Sequence, residues 1–135
     1  MQDRPDAQEL LEAVRVFLEE QVVPALEGTR QFHVRVAANV LAIVGRELAH
    51  GDESLRVEWR RLVALLGFPA SGTPESAAAL VEATRSLNEA LAARVRAGDA
   101  DDGPWRSQVL AHLRVMAEDR LAIANPKDLA VRERS

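Results

Sequence analysis

The chain has 135 residues, one domain's worth, and 47% of them are hydrophobic with no cysteine, which excludes disulfide frameworks, thiolate metal sites and cysteine nucleophiles. A net charge of −4 argues against a duplex-binding face, which needs cations to displace condensed counterions, so nucleic acid is not an expected partner. The acidic N-terminus MQDRPDAQELLEA lacks a basic n-region and an apolar h-region, and no apolar stretch approaches the ~20 residues that span a bilayer, so the expected location is the cytoplasm and no membrane partner is expected.

Apolar residues recur at helical spacing almost everywhere, and no segment alternates with period two. The predicted fold is therefore all-α, a single antiparallel bundle of about five helices forming one domain over 1–135. Asp6 can cap the first helix with Glu9 completing a capping box, and Leu10, Leu11, Val14, Phe17, Leu18 and Val22 form its stripe. Pro24 has no amide hydrogen to donate, so this helix should kink or end there. A second helix is predicted over about 29–49, with Gly51 as its stop, and a third from Asp52 to Gly67 through Leu55, Trp59, Leu62, Val63 and Leu66.

After the loop FPASGTP, Thr73 can cap a fourth helix with Pro74 at its first position, running through Leu80, Thr84, Leu87, Leu91 and Val95 to Gly98. The acidic GDADDG connects it to a fifth, opened by Pro104 and closed by Asn125-Pro126, with Trp105, Val109, Leu113 and Met116 on its apolar arc. The remaining 126–135 is either a docked extension, through Leu129 and Val131, or a frayed end.

The second helix holds the candidate site. At ~100° per residue, Arg35, Asn39, Arg46 and His50 fall on one stripe, bordered by the small Ala38, Ala42 and Gly45. Such a stripe is either the solvated side of a central helix or a place where two guanidinia, an amide and an imidazole receive a carboxylate, a phosphate or an acidic helix. Glu47 and His33 point instead among apolar neighbours, and on the fifth helix Arg120 points into the arc of Val109, Leu113 and Met116. A buried Glu47–Arg120 pair would satisfy both charges, since an unpartnered buried charge is expensive. His112, at the edge of that arc, is read as a hydrogen-bonded boundary residue.

No Gly-rich phosphate loop, nucleophile elbow or His-Glu-x-x-His pair occurs, and the three histidines are isolated in sequence, so no catalytic residue, metal site or cofactor is expected. The stretches RPDAQELLEAVRVFLEEQVVPALEG, FHVRVAANVLAIVGREL and AEDRLAIANPKDL resemble an uncharacterised bacterial all-helical domain family. Its members are found fused to, or encoded beside, aminoglycoside-phosphotransferase-like proteins, often near acyl-CoA dehydrogenases. That resemblance implies a partner class and carries over no site residues. It leads to an expected accessory or interaction domain acting with a phosphotransferase-like protein of the kinase fold. The alternative is a binder that holds an anionic acyl, CoA or phosphate group on the Arg35, Asn39, Arg46 and His50 face. A homodimer is a further expected partner arrangement.

Overall fold

A computed structural model describes residues 4–69, 72–132 and 134. The protein is all-α: among the described residues there are five α-helices and no strand. They are α1 (Ala7–Phe17), α2 (Gly28–Leu66), α3 (Ala77–Arg96), α4 (Gly103–Ala124) and α5 (Pro126–Arg132). The chain divides into two compact units, Met1–Gly51 and Asp52–Ser135.

In the first unit, α1 begins where Asp6 Oδ1 accepts from the Glu9 amide at 2.8 Å and Glu9 Oε2 accepts from the Asp6 amide at 2.9 Å, the expected capping box. Its last turns widen into a π-helical segment over Leu18–Val22 and then tighten into a 3₁₀ turn over Val23–Ala25. Pro24 is the cause, because its ring and missing amide hydrogen do not allow a regular α-helix to continue through it. Gln31 Nε2 donates to the Val23 carbonyl at 3.0 Å, which ties the start of α2 back to this turn. Val23 and Ala38 are the hydrophobic residues this unit buries.

The predicted break at Gly51 is absent, and α2 continues to Leu66. Glycine inside a helix costs only about 1 kcal/mol relative to alanine, and no proline lies between Gly28 and Leu66 to enforce a stop. Two other glycines end helices as expected. At Gly67 (φ 72°) the Phe68 amide donates to the Val63 carbonyl at 3.1 Å, and at Gly98 (φ 92°) the Asp99 amide donates to the Arg94 carbonyl at 3.1 Å. Both are left-handed helix terminations that only glycine adopts without strain.

The second unit packs the end of α2 with α3 and α4 around Leu62, Leu91 and Val109, with Leu65, Leu66, Leu87 and Trp105 against them. Trp105 Nε1 donates to the Leu65 carbonyl at 2.9 Å, and the Arg94 guanidinium lies 3.8 Å above the Trp105 ring. The cap of α3 lies three residues beyond the expected Thr73. Ser76 is its cap, with Oγ accepting from the Ala79 amide at 3.1 Å, and Pro74 lies before the helix. The tail forms α5 over Pro126–Arg132, while 70 and 71 of the predicted loop and 133 and 135 of the predicted tail lie outside the described residues.

Candidate functional site

The first unit contains a groove of about 830 Å³. One wall is α1, through Asp6, Gln8, Glu9, Glu12 and Arg15, and the other is α2, through Leu41, Ala42, Gly45, Arg46, Ala49 and His50. The helical register explains the division: Gln8 and Glu12 lie one turn apart on α1, as Arg46 and His50 do on α2. Ala42 and Gly45 form a low floor, and a Cβ added at Gly45 would meet nothing within 4 Å.

Of the four stripe residues, the groove gathers two. Arg46 and His50 line it with the small residues expected beside them, whereas Arg35 and Asn39 are exposed on α2 and do not line it. The opposite wall is acidic, through Asp6, Glu9 and Glu12. Arg15 donates from Nε to Glu12 Oε2 at 2.8 Å and from its other nitrogens to Glu12 and Glu19. These hydrogen bonds raise the Arg15 pKa, and the bond from Arg15 is the main cause that lowers Glu12. The groove therefore offers carboxylates on one side and a guanidinium with an imidazole on the other, without a nucleophile held by a base.

Glu47 and Arg120 are each exposed, so neither is the buried charge that the sequence predicts. Glu47 points among apolar neighbours as predicted, but those neighbours, Val36, Val40 and Val44, are themselves exposed. On α4 the inward face is Trp105, Val109, His112, Met116, Asp119 and Ile123, which keeps Trp105, Val109 and Met116 of the predicted arc and turns its centre by ~40°. Apolar residues occur all around this helix, so their pattern alone cannot select the buried side.

That rotation exchanges Arg120 for His112 and Asp119 and creates a polar cluster in the second unit. Arg61 donates from an Nη atom to Asp119 Oδ2 at 3.0 Å, and Asn88 Nδ2 donates to Glu58 Oε1 at 2.9 Å. His112 is only 5% exposed, and both its ring nitrogens are buried without a hydrogen-bond partner in the protein. Burial lowers its pKa, the Arg61 charge lowers it further, and Glu58 works in the opposite direction. The imidazole is consequently held in its neutral form.

No group of three or more His, Cys, Asp or Glu residues among those described could hold a metal ion. None of the described helices is long and apolar enough to cross a membrane. Together these features define a small all-helical protein in which polar side chains collect in an open groove and in a partly buried cluster around His112. Residues 24–127 match a family described as a domain of unknown function (DUF6285), and the chain belongs to that family. The match covers α2, α3 and α4 and leaves α1 outside it. Neither a curated protein nor a solved structure matches the chain.

Proposed function

We propose that this chain is a non-catalytic accessory domain that acts in the cytoplasm by docking on a phosphotransferase-like protein of the kinase fold. The supporting observation is the apolar edge of α1, where Leu10, Val14 and Phe17 are each about half exposed. Their i, i+4, i+7 spacing is the anchor pattern with which an amphipathic helix seats in a partner's groove. Exposed side chains of this size, grouped on one helix face, mark an interaction surface more often than a free one. The partner class comes from the resemblance to a helical family found with aminoglycoside-phosphotransferase-like proteins.

The test is to titrate the purified chain against the phosphotransferase-like protein encoded nearest to it and to follow complex formation by calorimetry. Binding is expected, with a loss of at least tenfold in affinity for Leu10→Ser combined with Phe17→Ser and no loss of helicity by circular dichroism. No heat of binding with the unmodified chain rules the reading out.

The groove favours a second reading, in which Arg46 and His50 hold the anionic head of an acyl, CoA or phosphate compound over Ala42 and Gly45. The neighbouring carboxylates of Asp6, Glu9 and Glu12 oppose an anion there, so this reading ranks second. A thermal-shift panel of CoA esters, nucleotides and organic acids decides it, since a ligand specific to the native state raises the melting temperature. A flat panel dismisses it.

A further inference from the structure

Beyond that docking reading, and independently of it, we infer that α2 carries a hinge at residues 47–53, where the helix opens and re-forms while the core around Leu62 stays packed. α2 is one helix of 39 residues, yet it serves two compact units that divide at Gly51. Its buried positions are Ala38 in the first unit and Trp59 and Leu62 in the second, and no residue between Ala38 and Trp59 is buried. Around the division, Glu47, Leu48, Ala49, His50, Asp52 and Glu53 are all exposed. At ~100° per residue these six point in every direction about the axis, so no side of the helix is covered there.

Most helical stability in proteins comes from packing one face against something else, and an uncovered stretch has only its own propensity to hold it. That propensity is low here. His50, Gly51, Asp52 and Ser54 all rank below Ala, Leu, Arg and Glu as helix formers, and glycine is the poorest after proline. Side-chain pairing does not compensate. Four residues on from Glu47, Leu48, Ala49 and His50 stand Gly51, Asp52, Glu53 and Ser54, and none of these pairs joins opposite charges.

Neither of the usual structural reasons for a glycine applies at position 51. Its backbone is not left-handed, and an added Cβ would meet only the flexible Glu47 side chain. What the glycine supplies is the widest range of conformations once the helix opens. The residues that read as a helix stop are thus overridden in the folded helix but remain its weakest point. A stretch with few buried contacts and exposed backbone hydrogen bonds is where a protein opens locally, at a cost well below that of global unfolding.

The absence of cysteine lets a pair of spin labels be placed by substitution alone. Asn39→Cys with Arg60→Cys, both exposed on α2, sets the labelled positions ~32 Å apart along a straight helix. Glu82→Cys with Arg96→Cys, both exposed on α3, gives the reference width of an intact helix. Double electron–electron resonance should show a distribution for the α2 pair at least twice as wide as for the α3 pair, with a population below the straight-helix distance. Gly51→Ala combined with Asp52→Ala and Ser54→Ala should narrow it to the reference width. The amides of residues 51–57, which bond across the stretch, should exchange with solvent at least a hundredfold faster than those of residues 60–64, and the triple substitution should slow them at least tenfold. A single narrow distribution for the α2 pair overturns the inference, as does exchange at 51–57 as slow as at 60–64. A broad distribution that the triple substitution leaves unchanged places the motion elsewhere and overturns it as well. None of these measurements involves the apolar edge of α1, so the docking reading and the hinge can each fail without the other.

Discussion

The two units solve the same problem to different degrees. The second buries Trp59, Leu62, Leu80, Leu91 and Val109 among three helices, and also encloses Thr84 and His112. The first, with two helices, buries Val23 and Ala38 and leaves Leu10, Val14, Phe17, Phe32, Val36, Val40, Val44 and Leu48 substantially exposed. A hairpin of helices has one contact face, so an apolar stripe wider than that face stays in water until something else covers it. Burial is thus concentrated in the second unit, although Phe68, Val81 and Leu110 are about half exposed there as well.

The largest effect that sharpens this contrast should come from Leu62→Ala. Leu62 is fully buried at the centre of the second core, and its truncation should cost about 2–5 kcal/mol. Hydrogen exchange should show the loss of protection in α3 and α4 and much less in α1. An equal loss in α1 would break the contrast.

A smaller effect should come from acid. The unfolded chain takes up a proton at His112 as pH falls through the ordinary histidine value of about 6.5, whereas the folded chain, with its pKa lowered, stays neutral. The stability this group contributes is complete above that value and is lost as pH falls below it toward the lowered folded value, by at most about 1.4 kcal/mol per pH unit. Urea unfolding at pH 7.5 and 5.5 should show this difference, and His112→Gln should reduce it. An unchanged pH difference in the variant would remove His112 from the account.

The smallest effect belongs to the helix both units share. Gly51 has no left-handed backbone to preserve, and a Cβ there would meet only the Glu47 side chain, at 2.6 Å from Oε1, which can swing away. Gly51→Ala should therefore stabilise the protein by up to about 1 kcal/mol in thermal unfolding. Gly67→Ala, at φ 72°, should destabilise it.

The sequence made the local decisions legible. The Asp6–Glu9 box, the turns at Gly67 and Gly98 and the opening of α4 near Pro104 depend on residues within a few positions of one another. What it concealed were decisions made by packing. Gly51 reads as a stop only if nothing else extends the helix, and Thr73 and Ser76 are chemically equivalent caps until the chain chooses one. Glu47 looked buried because its neighbours are apolar, but that inference assumes that every apolar face is covered. α4 could not be oriented closely because its apolar residues surround it, and a turn of ~40° separates Arg120 in water from His112 in the core. The groove was half visible, through Arg46 and His50, because the stripe lies on one helix while its acidic wall lies on another.

The placement of Trp59 and Trp105 has a spectroscopic consequence. Both indoles belong to the second unit, the chain contains no tyrosine, and the aromatic rings of the first unit are the phenylalanines Phe17 and Phe32. Intrinsic emission excited at the red edge of the indole band is therefore blind to the first unit. Trp105 responds to the loss of the Leu65 carbonyl and of the guanidinium stacked on its ring. Ellipticity at the helix band, by contrast, sums over both units. A heating curve recorded both ways on one sample thus separates them without any attached label: wherever the two traces part, the difference belongs to the hairpin that carries no fluorophore.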